Sequence, residues 1–306
     1  LIILSKRFES SVRAMDTVFR QGGDEFLILL RGLRNDQDVR RVIHKIFESL
    51  QEPVILGNHK IITTTSVGVA YCKYPQMEAE QLIQKAELAM YKAKAAGRSN
   101  FRVFTDDMLM QANNRMMIEQ DIGRAMADKE LDLFLQPIIE ISTGKVKGFE
   151  ALIRWNHPSR GLISPVDFIP LTEESGQILE MGEWIFKEAA TKASKWRREF
   201  SPDLQISINT SPLQYRDNGI NVSLWVQYLH QLGTDGSAII VEITEGLLMD
   251  SSKLVKDKLL EVRDFGIEVA IDDFGTGHSS LSYLRKLPIE VLKIDKSFID
   301  EILVSG

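Results

Sequence analysis

The chain has one cysteine, Cys72, in 306 residues. No disulfide framework is available to it, and a reducing cytoplasm suits such usage best. Histidine is also scarce: the five are scattered at 44, 59, 157, 230 and 278, without the spacing of a ligand set. Long apolar runs are missing. The opening LIIL is far too short for a membrane span, and no signal peptide grows from it. Excess positive charge is missing too. With 37 Lys and Arg against 43 Asp and Glu the net charge is -6, which argues against a general nucleic-acid coat or a polybasic membrane arm. What remains is an ordinary globular composition, 44% hydrophobic and 26% charged, long enough for two domains.

The first hundred residues mix helices and strands. DQDVRRVIHKIFESL carries apolar residues at 39, 42, 43, 46, 47 and 50, a helical spacing. PVILGNHKIITTTSVGVAY reads as β-rich runs with a hairpin at Gly57-Asn58. EAEQLIQKAELAMYKAKAAG reads as a helix with Gly97 where a C-cap belongs, and FRVF as a last edge strand. The polar, proline-free stretch that follows predicts a helical linker. These patterns set expected boundaries at 1–105, 106–128 and 129–306.

From Leu131 the pattern becomes strand-then-helix. LDLFLQP, KVKGFEALIRW, LQISIN, AIIVEIT, IEVAID and EVLKID are the six expected strands, with helices such as 178–196 between most of them. Such alternation predicts an α/β fold with a parallel sheet, and this many units favour a (β/α) barrel of the TIM type. The first two strands are joined by only IIEISTG, too short for a crossover, so that pair should be antiparallel.

Polar residues collect at the ends of these strands: Glu150 and Arg154, Asn209, Glu242, Asp272 with Asp273, and Lys293 with Asp295. The strand ends of a barrel share one face, where sites are built. Carboxylates with an amide oxygen are hard ligands that suit Mg²⁺ or Mn²⁺. Adjacent carboxylates repel, and two neighbouring cations would relieve Asp272 and Asp273 while clamping a phosphodiester. Lys293 would orient or activate the attacking water, its pKa lowered by crowding near the metals, and Arg154 would fork a phosphate. Singly, each acid is more often a helix N-cap or turn residue.

EALIRW at 150–155, with HPSRGLISPVDFIPLTEESG, SINTSP, VEITE, IDDFGTGHSSL and LKIDKSFI, resembles the EAL-domain cyclic-di-GMP phosphodiesterases over most of residues 130–300. The resemblance implies hydrolysis of cyclic-di-GMP to pGpG with Mg²⁺ or Mn²⁺, two ions in all. It implies metal ligands at Glu150, Asn209, Glu242, Asp272 and Asp273, with Asp295 near the second ion. Lys293 would contact the nucleophilic water, and Gln136 and Arg154 would hold the dinucleotide. Glu245 would anchor the loop FGTGHSS, which in the family couples metal binding to dimerisation, so a homodimer through this domain is implied.

22-GGDEF-26 lies between VFRQ and LILL, where a hairpin is expected. Two glycines allow close backbone approach to a ligand, and Asp24 can reach a metal. The stretch resembles the GGDEF domain of diguanylate cyclases, an α+β fold. That resemblance implies a site of Gly22, Gly23, Asp24 and Glu25, with Lys94 and Arg98 gripping the triphosphate of GTP, four apart on one helical face. It also implies an inhibitory product site at Arg13 and Asp16, an RxxD whose guanidinium can bond the O6 and N7 of guanine.

Two departures from the family patterns stand out. The upstream half of a GGDEF domain, with its first metal-binding Asp, is absent, so this chain alone should not make cyclic-di-GMP. The barrel has six expected strands of eight, and lacks the family's later metal-binding Glu and guanine-contacting Gln. A fragment of a longer reading frame is expected, truncated at both ends. The reading is a phosphodiesterase with a regulatory GGDEF half. Its competitors are a non-catalytic cyclic-di-GMP receptor and a bifunctional full-length parent. The histidines and the four tryptophans read as structural.

Overall fold

A computed structural model describes residues 1–72, 77–216, 219–248, 252–275 and 289–304. The chain divides into two compact units, Leu1–Asn114 and Arg115–Gly306.

The first unit contains α1 (Ile2–Ser11), β1 (Thr17–Gly22), β2 (Glu25–Leu29), α2 (Asp36–Gln51), β3 (Val54–Leu56), β4 (His59–Ile61), β5 (Val67–Val69), α3 (Ala79–Ala95) and β6 (Phe101–Val103). Asn35 starts α2 by accepting from the amides of Gln37 and Asp38. The apolar face of that helix meets α1 and the first hairpin: Phe8, Ile46 and Leu50 are buried, and Phe8 meets Phe26 edge-on at 5.0 Å. The hairpins expected at GGDEF and at Gly57-Asn58 are both present and antiparallel. FRVF pairs in parallel with β5 across α3. Gly68 lets α3 lie directly on β5, since a Cβ there would stand 1.9 Å from the Ala86 carbonyl oxygen.

The helix expected after the first hundred residues is α4 (Asp106–Ala125). Its buried residues, Ile118, Ile122 and Ala125, belong to the core of the second unit.

That unit continues with β7 (Leu131–Glu140), β8 (Lys145–His157), β9 (Gly161–Ile163), α5 (Pro165–Ser175), α6 (Ile178–Glu199), β10 (Gln205–Asn209), α7 (Val222–Gln231), β11 (Ile239–Thr244), α8 (Glu245–Leu248), α9 (Lys253–Asp264), β12 (Glu268–Phe274), β13 (Val291–Ile294) and α10 (Lys296–Val304). The sheet runs β13-β12-β11-β10-β8-β7, with β9 pairing off β8. The first pair is antiparallel, as the short connection requires, and β8, β10, β11, β12 and β13 run parallel. Seven strands are present among the described residues where six were expected. The addition is β9, three residues whose Gly161 turns back at φ 72 so that Ile163 lies opposite Trp155. The first strand also runs on through the expected loop to Glu140.

Alternation along these strands sorts side chains into two sets. Ala151, Ile153, Ile206, Ile208, Val241, Ile243, Val269 and Ile271 join helix residues such as Phe186, Ala189, Trp225 and Leu259 in one core, each below a tenth exposed. Each fully buried Ile or Leu there contributes about 1.5–3 kcal/mol of transfer free energy. The register is therefore strongly held, because a slip of one residue would turn this whole set outward. The opposite face receives Glu150, Asn209, Glu242, Asp272 and Lys293. Trp155 and Trp225 are buried, and Trp184 and Trp196 pack at the edge of the core, all four structural as read.

Candidate active site

Five neighbouring strands each deliver one polar side chain to a common place. The Lys293 ammonium on β13 is the centre: it donates to Glu242 Oε2 at 2.5 Å and lies 3.1 Å from both Glu150 Oε2 and Asp272 Oδ1. Asn209 Nδ2 donates to the other oxygen of Glu150 at 3.0 Å. Glu242 is 2% exposed. Burial pushes its carboxyl above the usual range, against the hydrogen bond and charge of Lys293.

Without metal ions, the ammonium of Lys293 is governed by its acidic neighbours. Burial alone would lower its pKa, but the hydrogen bond it donates to Glu242 and the charges of Glu242, Glu150 and Asp272 outweigh it and raise the ammonium above its ordinary value. Three carboxylates around one cation hold its proton on. Lys293 donates its hydrogen bond to Glu242.

Asp272 reaches Lys293, and its neighbour Asp273 follows it on β12. On a regular strand they would face opposite ways. The pairing of β12 with β13 shifts from Ile271↔Leu292 to Phe274↔Ile294, so three residues on one strand span two on the other, a β-bulge. Asp273 takes the left-handed region, φ 51, within that bulge. Its carboxyl is pushed up by partial burial first and then by the charges of Asp272 and Asp295. Asp295, just past β13, is held low, chiefly by the Ser297 hydroxyl and then the Ser297 amide at 2.9 Å. The two acids share a hydrogen bond, which raises Asp273 and lowers Asp295. This bulge depends on a partner strand distant in sequence, and DDFG alone reads equally as a turn.

Glu245 opens α8 and is buried; its Oε2 accepts from the Gly275 amide at 3.1 Å. Gly275 has φ 104, and a Cβ there would meet the Phe298 ring at 2.7 Å. The rest of the expected coupling loop, from Thr276 through Ser280 and including His278, lies outside the described residues.

Gln136 on β7 stands opposite Glu150, on the same face. Arg154 is half-buried on β8; its Nη1 donates to the Ile153 carbonyl at 2.8 Å, and its guanidinium lies 5.7 Å from the Phe134 ring centre. A cleft of about 230 Å³ beside Arg154 is lined by Leu162, Ile163, Ser164 and Pro165.

Sequence reasoning missed the support behind this site. Thr210, next to Asn209, donates both its amide and its hydroxyl to the Glu242 carbonyl, at 3.0 and 2.7 Å, and its hydroxyl meets the buried Tyr215 hydroxyl at 3.0 Å. The strand ends carrying Asn209 and Glu242 are thereby tied together. Thr210 sits inside the quoted SINTSP, but nothing local reveals its partner 32 residues away.

The donor set is one of hard oxygens, and among Lys293, Glu150, Glu242 and Asp272 negative charges outnumber positive ones three to one. Such a set fits a hard divalent cation. Among the described residues no three acidic, His or Cys side chains already form a cluster that could hold a metal ion. The Lys293 ammonium occupies the point that Glu150, Glu242 and Asp272 share.

In the first unit, Gly22, Gly23 (φ 50), Asp24 and Glu25 form the tip of the β1–β2 hairpin, with open space beside both glycines. Arg20 closes the turn on the Gly23 carbonyl at 2.8 Å. Lys94 and Arg98 do not share a helical face, contrary to expectation. Helix α3 ends at Ala95, Gly97 leaves it at φ 97, and Arg98 follows in the left-handed region at φ 58. The Asn100 side chain donates to the carbonyls of Ala93, Ala96 and Arg98, which holds that turn. Asp16 gives both carboxylate oxygens to backbone amides, Arg13 at 2.9 Å and Arg31 at 3.0 Å, and Arg13 is exposed.

The EAL domain family model matches residues 119–306, and the model of the diguanylate cyclase GGDEF domain matches residues 1–100. Similar curated proteins include the bifunctional diguanylate cyclase/cyclic di-GMP phosphodiesterase MucR of Pseudomonas aeruginosa, 35% identical over 99% of this chain and 44% of its own length. The cyclic di-GMP phosphodiesterase NbdA of the same organism is 34% identical over 100% of this chain and 39% of its own length. The chain spans less than half the length of these relatives. Among solved structures, the PaMucR phosphodiesterase in complex with c-di-GMP aligns with a TM-score of 0.58 at 37% identity, over 61% of this chain and 75% of that one. Among the described residues no helix is long and apolar enough to cross a membrane.

Proposed function

The chain belongs to the EAL domain family through residues 119–306 and carries a GGDEF-family segment before them, and on that premise we propose that its second unit is a cyclic-di-GMP phosphodiesterase. Water adds across one P–O3′ bond of the cyclic dinucleotide, giving linear pGpG with a free 3′-hydroxyl and a 5′-phosphate. The observation that carries this reading is the convergence of Glu150, Glu242 and Asp272 on Lys293 at the ends of neighbouring strands, with Asn209 against Glu150.

The family is metal-dependent. Glu150, Asn209, Glu242, Asp272, Asp273 and Asp295 are the residues proposed to hold Mg²⁺ or Mn²⁺, two ions in all. Bound there, they would supply Lewis-acid stabilisation of phosphoryl charge. The protein's own contribution is positional. Lys293, set among Glu150, Glu242 and Asp272, orients the attacking water by donating a hydrogen bond to it. Arg154 receives a phosphate in a forked contact and Gln136 binds the dinucleotide beside it. Glu245 holds the backbone at Gly275, and with it the start of the loop after the paired aspartates. The GGDEF unit is proposed to be regulatory. The open hairpin tip at Gly22–Glu25, with Lys94 and Arg98, would take GTP, and Arg13 with Asp16 would take product. A homodimer through the EAL unit and a cytoplasmic setting complete the proposal.

The test is turnover of cyclic-di-GMP with Mg²⁺ or Mn²⁺, with chromatography of the products, beside Glu150→Ala. Appearance of pGpG, abolished by the substitution, is the expected result. Binding without cleavage in the unaltered protein would replace the enzyme with a receptor.

A further inference from the structure

We infer that Phe134 is a stacking platform for one purine base of the bound dinucleotide. The inference rests on the cyclic-di-GMP reading above and adds to the EAL unit a residue that stacks on a base.

Phe134 lies on β7 opposite Leu152, and two residues before Gln136. Its strand alternates strictly: Leu131 and Leu133 are buried in the core, so Phe134 and Gln136 must face the other way, toward Glu150 and Lys293. The register thus forces a large aromatic ring onto the site's face, where it stays 48% exposed. About half of the ring is covered, with Leu152 opposite it and Arg154 beside it, and the rest is open to a ligand. Moving along β8 from Glu150, through Leu152, to Arg154, the facing positions on β7 are Gln136, Phe134 and Asp132. Phe134 therefore sits between the level of the acidic cluster and the level of the guanidinium, and Arg154 is its diagonal neighbour, 5.7 Å from the ring centre. A ligand whose phosphate is forked by Arg154 and whose scissile bond lies at Glu150 passes Phe134 on the way. A flat base is the part of a dinucleotide that an exposed ring recognises. The guanidinium lies over the ring at 5.7 Å from its centre, and a base stacked on the ring would lie beside it.

The experiment compares steady-state kinetics of the protein with those of Phe134→Ala, Phe134→Leu, Phe134→Tyr and Phe134→Trp. Loss of one base–aromatic stack raises KM for cyclic-di-GMP by about 5- to 100-fold in the Ala and Leu variants. Their kcat stays within about twofold, because stacking is the same in ground and transition states. Tyr and Trp restore KM. In Phe134→Trp, emission falls when cyclic-di-GMP is added, beyond any change given by the four native tryptophans. A KM in Phe134→Ala equal to that of the unaltered protein overturns the inference, and so does full rescue by Leu, which packs against Arg154 but cannot stack. If the Ala variant fails to fold, the Leu and Trp variants decide. If the unaltered protein neither binds nor cleaves cyclic-di-GMP, the functional reading falls and the platform with it; a normal unaltered protein with an indifferent Phe134 overturns the platform alone.

Discussion

Replacing Lys293 by methionine keeps the length of the side chain and removes its charge. In the metal-free protein this strands three carboxylates that now share one ammonium. They are unequal. Glu242 is 2% exposed, whereas the Glu150 and Asp272 side chains are 20% and 24% exposed. Removing the partner of a fully buried charge costs about 3–5 kcal/mol, and of an exposed one about 0–1. Because Glu242 can relieve itself by taking a proton, the lower end applies, and we expect a loss of about 3 kcal/mol near neutral pH. For a unit of this size that is a fall of about 6–12 °C in melting temperature. The same argument fixes the response to metal. In the unaltered protein a divalent cation competes with the ammonium for its oxygens; in Lys293→Met it does not. Mg²⁺ or Mn²⁺ should therefore raise the melting temperature of the variant more than that of the parent, by mass action on the folded state. The assay is a thermal melt of both proteins in EDTA and across a metal titration. A variant that melts with the parent in EDTA, or equal gains from metal in the two, would refute the claim that Lys293 holds a cation site closed.

Two further outcomes follow from the first unit. Gly68→Ala would put a methyl 1.9 Å from the Ala86 carbonyl oxygen and 2.3 Å from the Met90 amide nitrogen, both backbone atoms that no rotamer change can move. We expect a cost above about 3 kcal/mol, seen as lost hydrogen-exchange protection in β5 and α3, and native-like protection would sink the account. Asp38, in the first turn of α2, is held below its usual value of 3.8, first by the Arg34 amide against the opposing effect of desolvation, then by Arg41 and neighbouring arginines. A depressed carboxyl contributes stability above its unfolded pKa and loses it as pH falls through the folded one. Asp38→Asn should therefore be less stable than the parent at neutral pH and level with it once the medium is acid enough to protonate Asp38, and a gap that persisted in acid would contradict this.

What could be read from the amino acids divides along a physical line. Strand alternation and strand-end chemistry are local, so Glu150, Asn209, Glu242, Asp272 and Lys293 could be assigned to one rim from spacing alone. The antiparallel first pair followed from loop length. The failures depend on tertiary contacts that the periodic pattern does not encode, some of them close in sequence and some remote. β9 is three residues long and exists because Ile163 finds Trp155. Arg98 leaves its helical face because Gly97 ends α3 and Asn100 gathers three carbonyls at its end. The sign of the Lys293 shift is a contest between burial and three acids drawn from three strands, and no single stretch of sequence contains both sides of it. The paired aspartates are the clearest case. Their identity is local, but their joint use needs a bulge against β13 and a left-handed Asp273, a conformation that a side chain other than Gly, Asn or Asp adopts only under strain. An Asp at that position thus meets two demands of the proposed site at once: it offers a second carboxylate beside the first, and it tolerates the left-handed backbone found there.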